Sequence, residues 1–184
     1  MDSLLLYINK LKALNKVMSA YSTAKFCHQC GHSLISNTIN LNNVGYCTIC
    51  DISIYADPKV AAVVIVSNGN EILLVRRSIQ PHIGKWSFIS GYVNQAEQVE
   101  SAAIREVKEE IDIDIKLIKL QGIYSGMSSV ILIVYRAIHL SGIPKVSEEV
   151  SEFNWFSYDS MPDLPFPYDD LILRDFHNDL GSPI

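Results

Sequence analysis

The stretch "IREVKEEIDI", residues 104–113, sets Glu106, Glu109 and Glu110 within five positions. On a helix, the spacings i, i+3 and i+4 bring all three carboxylates to neighbouring points of one face. Each like-charge pair costs an isolated helix about 0.2–0.5 kcal/mol, so something must compensate. A divalent cation does so directly, because hard ions such as Mg²⁺ take carboxylate oxygens as ligands. A solvated acidic face is the other reading, and spacing alone leaves both open.

A second group has metal chemistry of another kind. Cys27 and Cys30, in "FCHQCGHSL", and Cys47 and Cys50, in "GYCTICDISIY", form two C-x₂-C pairs with sixteen residues between them. That is the spacing of a zinc ribbon, and four thiolates suit tetrahedral Zn²⁺. Gly31 lets the backbone turn around the metal. Two disulfides in a secreted protein, or rubredoxin-like iron, are the competing readings. His28 and His32 sit inside the first knuckle as substitute ligands, but four cysteines already fill the shell. A closed four-thiolate site has no position for water, so its expected role is structural.

The elements that must position these groups follow from patterning. The chain of 184 residues is 48% hydrophobic and 19% charged, enough for one substantial core and a small appendage. A net charge of −5 argues against a protein held on nucleic acid by phosphate neutralisation, and no apolar run is long enough to span a membrane. In the opening "MDSLLLYINKLKALNKVMSAYS", the apolar run is broken at Asn9 and Lys10 and no cleavage pattern follows. Leu4, Leu5, Ile8, Leu11 and Val17 predict an amphipathic helix over residues 1–22 instead of a secretory signal. The cysteine module is placed at 23–57 and the main domain at 58–184, with a cytoplasmic location expected.

Within the main domain, "KVAAVVIVSNGNEILLVRRS" reads as two strands joined at Asn68-Gly69. "GKWSFISGYV" reads as one short aromatic strand. "VESAAIREVKEEI" is a helix with Val99, Ala102, Ala103, Val107 and Ile111 on one stripe and the acidic face opposite. Strands follow in "DIDIKLIKL", "SSVILIVYRAIHL" and "SEFNWF", then a turn at "LPFP" and a closing helix in "YDDLILRDFHN". A mixed α/β domain built around the acidic helix results.

Gly91, Glu97 and Arg105-Glu106-Val107-Lys108-Glu109-Glu110 together resemble the Nudix box of nucleoside-diphosphate-linked hydrolases. Five residues separate Gly91 from Glu97, and seven separate Glu97 from Arg105. The upstream "LLVRRSIQPHIGKWSF" resembles the strand and loop that precede that box. A four-cysteine ribbon before such a domain is similar to the subgroup of ADP-ribose or FAD pyrophosphatases and NADH diphosphatases. The resemblance implies an α/β/α sandwich with a mixed sheet, in which Glu106, Glu109 and Glu110 ligate catalytic Mg²⁺ or Mn²⁺. It implies a structural salt bridge between Glu97 and Arg105, a loop opened by Gly91, and a further catalytic carboxylate or ligand at Glu149. Arg77 is placed on a substrate phosphate. Trp86, like Phe88 and Tyr92, is either a stacking surface or a core aromatic.

The chain departs from the box pattern at two places. Asp112 stands where the box has the glycine that ends the helix in a left-handed conformation, and "ISG" replaces Pro-Gly-Gly before the box. The motif that marks NADH diphosphatases is missing from "GIYSGMSSVILIV". The implied reaction is therefore metal-dependent pyrophosphate hydrolysis of ADP-ribose or FAD with release of AMP, with NADH as the alternative. A small dinucleotide or nucleotide-sugar is the implied partner, and a homodimer is left open. Two rivals remain: cleansing of nucleoside triphosphates, and a regulator that binds nucleotide or nucleic acid without cleaving it. Against the regulator, no Lys or Arg occurs between Phe26 and Tyr55.

Overall fold

The computed structural model describes residues 24–36, 45–55 and 57–180. The helix expected over residues 1–22 lies outside the described residues. The chain divides into two compact units, Met1–Pro58 and Lys59–Ile184.

In the first unit, β1 (Ile35–Ser36), β2 (Gly45–Cys47) and β3 (Ile52–Ile54) form an antiparallel sheet in that order. The first cysteine pair sits on a turn closed by the Gly31 N–H to the Cys27 carbonyl at 2.8 Å, with Gly31 at φ +71°. That left-handed conformation is one glycine adopts without steric cost. The second pair follows β2 directly, and the Cys50 N–H donates to Cys47 Sγ at 3.4 Å. Cys27, Cys47 and Ile54 are buried together, with Leu34 and Ile52 against them. So small a core calls for a further cross-link.

The second unit is a seven-stranded mixed sheet between two helices. Its main path runs β10 (Val150–Ser157), β5 (Glu71–Arg77), β4 (Lys59–Asn68), β9 (Val130–Ser141) and β8 (Asp114–Tyr124). Among the described residues only β4 and β9 pair in parallel. On β4, Ala62, Val64 and Val66 face the helix α1 (Val99–Ile111), while Val63 and Ile65 face the helix α2 (Asp169–Leu180). Burial on both faces is why β4 reads as an unbroken apolar run. Beneath α1, Ala102, Ala103, Val107 and Ile111 are fully buried against the sheet, as the stripe predicts. Burying side chains such as Val107 and Ile111 is worth about 1.5–3 kcal/mol each.

Two readings of the sequence need correction. The aromatic strand is two elements: β6 (Trp86–Ser87) pairs with β5, and β7 (Ile89–Tyr92) pairs with β4. β4 and β5 pair only at their hairpin end, so the chain crosses from one to the other at the buried Phe88 and fills the gap between them. The hairpin loop is also one residue later than expected, since Asn68 and Glu71 close it around Gly69-Asn70.

Asp112 takes up the left-handed position that the box glycine has. It ends α1 at φ 55°, ψ 33°, and its N–H donates to the Lys108 carbonyl. Its carboxylate meets Lys108 Nζ at 3.0 Å and Lys145 Nζ at 2.9 Å. These lysines, Lys145 first, hold its carboxyl down to about 2. Aspartate is among the few residues that enter this backbone region readily. Glycine would relieve the backbone and lose both ion pairs, so Asp112→Gly is expected to leave the melting temperature within about 2 °C. Asp112→Ala keeps the backbone cost and loses the pairs, and should lower it by several degrees. Thermal melts of the two variants beside wild type check this.

Candidate active site

The three box glutamates do not share one solvated face. Glu109 is well exposed, Glu106 is mostly covered, and Glu110 is only 8% exposed. Glu110 sits at the edge of the apolar stripe, tucked under β7, where its Oε1 accepts the Ser90 N–H at 3.2 Å. Burial pushes its carboxyl up to about 8. The Ser90 N–H opposes that rise, and the charges of Glu106 and Glu149 reinforce it. Glu106 is also raised, first by burial, with Arg105 opposing. Carboxylates this crowded and this dry disfavour their own charged forms.

Arg105 holds the group together. Its guanidinium donates to Glu97 at 2.8 and 3.0 Å, to Glu106 at 2.7 Å, to Glu109 at 2.9 Å and to the Tyr92 carbonyl at 3.1 Å. Glu97 also accepts the Asn94 N–H at 2.9 Å, and Arg105 holds its carboxyl down to about 2. The expected Glu97–Arg105 pair is therefore present in the geometry, and the same arginine also contacts two of the box carboxylates. Gly91 explains how the loop comes so near. A Cβ there would lie 1.9 Å from Glu106 Cδ and 2.0 Å from its Oε1.

Glu106 and Glu109 open onto a cleft of about 670 Å³, as do Gly91, Arg105, Glu149 and Arg77. That is the size range of small-molecule sites. Arg77 lies at the end of β5, with its Nε donating to the Pro81 carbonyl at 2.7 Å and its guanidinium 5.4 Å from the Phe166 ring. Its charge lowers the Glu110 carboxyl, which places it within electrostatic reach of the glutamates. Glu149 is held beside them by the Ser78 N–H on its carbonyl at 2.8 Å. Phe88 and Tyr92 line the cleft. Trp86 does not: it packs edge-on against Phe156 with ring centroids 5.0 Å apart.

The opposite wall carries no motif that marks it in the sequence. Phe166, Pro167, Tyr168, Asp169 and Ile172 line it, brought there by α2 from far along the chain. "LPFP" is the turn it was read as, and its last two residues are also cleft surface. Asp169 is 3% exposed, and its Oδ2 accepts the Phe166 N–H at 2.7 Å. Burial pushes its carboxyl up to about 7 against that hydrogen bond. In the sequence it is an acid in the first turn of a helix, a position where acids are ordinary complements to the helix dipole.

The donor set fits a hard divalent ion at the glutamates, since every candidate ligand is a carboxylate oxygen and the cluster is short of positive charge. In the first unit, the four cysteine sulfurs all lie within 4.8 Å of one another. Cys30 and Cys47 Sγ are 3.6 Å apart, and Cys27 and Cys50 Sγ are 4.0 Å apart. The Cys50 N–H draws the Cys47 thiol down to about 7, while the Cys30 thiol first of all pushes Cys50 up to about 12. Four thiols sharing one space ionise together only around a cation, and soft thiolates fit Zn²⁺.

Residues 57–176 match the NUDIX domain family, so the chain belongs to the Nudix family of pyrophosphohydrolases. It is 32% identical over 124 residues to an ADP-ribose pyrophosphatase of Methanocaldococcus jannaschii, covering 65% of this chain and 73% of that protein. It is also 32% identical over 148 residues to the NAD-capped RNA hydrolase NudC of Stutzerimonas stutzeri, covering 78% of this chain and 52% of that protein. The chain thus spans about half the length of the NudC relatives it matches. In structure it resembles a NUDIX hydrolase from Nitrosomonas europaea, with a TM-score of 0.75 and 28% identity over 87% of this chain and 95% of that one.

Proposed function

We propose that the chain hydrolyses the pyrophosphate bond of a nucleoside diphosphate linked to another moiety, with ADP-ribose or FAD as substrate and AMP as a product. The observation that carries this is one cleft lined by a charged group, Glu106, Glu109, Glu149 and Arg77, and by an apolar, aromatic wall at Phe166, Tyr168 and Ile172, with the Arg77 guanidinium 5.4 Å from the Phe166 ring. Phosphates suit the first and a nucleoside the second. Glu106, Glu109 and Glu110 would hold Mg²⁺ or Mn²⁺. The ion would neutralise the pyrophosphate and make water a better nucleophile. Arg77 pairs with a phosphate oxygen and fixes its position. Glu149 takes a proton from the water as its oxygen bonds to phosphorus and the anhydride P–O bond breaks. Glu97 and Arg105 keep the loop and helix in register. Most of the rate in such chemistry comes from positioning and charge stabilisation.

Product analysis on ADP-ribose, FAD, NADH and a nucleoside triphosphate, each with Mg²⁺ or Mn²⁺, tests this reading. AMP from ADP-ribose or FAD supports it. Turnover of NADH alone transfers it to the diphosphatase alternative that the NudC relatives favour, and NAD-capped RNA then joins the panel. Pyrophosphate from the triphosphate, or no turnover by folded protein, overturns it.

We also assign structural Zn²⁺ to Cys27, Cys30, Cys47 and Cys50. Purified protein is expected to carry about one zinc per chain, read by metal analysis, and to release it when a mercurial titrates the thiols. Cys47→Ser should lose most of that zinc.

A further inference from the structure

Arg77 is pinned at its main chain, and its side chain needs a fixing of its own. Its N–H donates to the Lys85 carbonyl at 3.0 Å and its carbonyl accepts the Gly84 N–H at 2.8 Å, at the root of the loop between β5 and β6. The side chain beyond is long and flexible, whereas a contact to a phosphate oxygen needs the guanidinium in one place. The glutamates compete for that guanidinium, since Glu106, Glu149 and Arg77 all act by charge on the buried Glu110. Two other groups hold it. The Pro81 carbonyl accepts from Nε at 2.7 Å, and the centre of the Phe166 ring lies 5.4 Å from the guanidinium carbon. A cation within about 6 Å of a ring centre is drawn to its face. Nε makes the guanidinium's one hydrogen bond among the described residues, which leaves both Nη groups for an anion.

The ring is braced in turn from its own side of the cleft. Asp169, 3% exposed, takes the Phe166 N–H on Oδ2 at 2.7 Å, and its own N–H donates to the Phe166 carbonyl at 3.2 Å. The neighbouring Tyr168 hydroxyl accepts the Met127 and Ser128 N–H groups at 2.5 and 3.2 Å. His82 packs edge-on against the ring, with centroids 5.1 Å apart. We propose that Phe166 is a positioning residue: its ring, fixed by Asp169, holds the Arg77 guanidinium where the pyrophosphate binds. Phe166 then acts on phosphate through Arg77 and not through a base. This rests on the assignment of Arg77 to a phosphate in the proposed function.

Phe166→Leu keeps an apolar side chain and removes the ring face. It is expected to lower kcat/KM for ADP-ribose about 5- to 30-fold, the worth of a partly desolvated contact between a cation and a ring. Phe166→Met is a second variant without a face and should behave alike, whereas Phe166→Trp keeps one and should stay within about threefold of wild type. The cycle with Arg77→Met separates positioning from packing. With the cation gone, Phe166→Leu should cost less than about twofold more. Methylenediphosphonate carries the charge of a pyrophosphate and no base. At one fixed excess of Mg²⁺, it should inhibit Phe166→Leu only at a concentration about fivefold or more above that for wild type. Losses that multiply in folded variants, or equal inhibition of wild type and Phe166→Leu by the diphosphonate, overturn the inference and leave the proposed function standing. A wild type that cleaves no substrate of the panel overturns the proposed function, and this inference with it.

Discussion

Glu110→Gln is expected to destroy activity and, without added divalent ion, to make the protein more stable at pH 8. The loss of activity follows from the assigned role. Groups that merely support a metal's ligands are worth about 10–100-fold when removed, so a direct ligand should cost at least about 100-fold. The gain in stability follows from burial. Glu110 is 8% exposed and its carboxyl is pushed up to about 8 by desolvation, whereas an unfolded glutamate ionises near 4.3. Between these values the folded chain keeps a proton that the unfolded chain has lost. Stability therefore falls as pH rises from about 4.5 to about 8, and is fully present only below that window. Each tenfold difference in proton affinity is about 1.4 kcal/mol, so the total is large against ordinary domain stability. Glutamine keeps the oxygen that accepts the Ser90 N–H and carries no charge to desolvate. Melts at pH 8 should place the variant about 5 °C or more above wild type, with the gap closing near pH 5. Zinc content should be equal in both. Adding Mg²⁺ or Mn²⁺ should raise wild type more than the variant. A variant less stable than wild type at pH 8 would show that the buried carboxyl is compensated by a group other than the metal.

That inversion was only half legible in the sequence. Spacing placed Glu106, Glu109 and Glu110 together on α1, and resemblance assigned them a metal. Periodicity also put them on the face opposite the apolar stripe, which is wrong for Glu110. Its position at the stripe's edge becomes a burial site only because β7 crosses above it, and β7 exists as a separate element because β4 and β5 splay apart. A window of sequence cannot contain that splay. The long elements were readable for the opposite reason. β4 and β9 carry unbroken apolar runs that mark strands covered on both faces, while β8 alternates and α1 carries an apolar stripe at the helical period. The far wall of the cleft escaped because Asp169 and Phe166 look like a helix start and a turn until α2 folds back onto the sheet. Arg105 was read as the partner of Glu97; its bonds to Glu106 and Glu109 appear only once side chains are placed.

Gly91→Ala should separate the function of the loop from its folding. The atoms nearest the added methyl all belong to the end of the Glu106 side chain, 1.9 Å to Cδ and 2.0 Å to Oε1. A flexible side chain yields to such a contact, so the fold should survive with a melting temperature only a few degrees lower. What yields, however, is the carboxylate assigned to the metal. Glu106 is held against the loop by Arg105 at 2.7 Å, and any rotamer that clears the methyl breaks that contact and moves both oxygens. Displacement of about 1 Å in a positioned catalytic group is enough for a 100-fold loss. Gly91→Ala is therefore expected to lose activity about as severely as Glu106→Gln. The double variant gives the decisive comparison, because two changes that act through one carboxylate do not add. Gly91→Ala with Glu106→Gln should be no worse than either change alone, to within about threefold. Losses that multiply would instead mean that the glycine serves the substrate or the backbone directly, and that Glu106 tolerates the methyl.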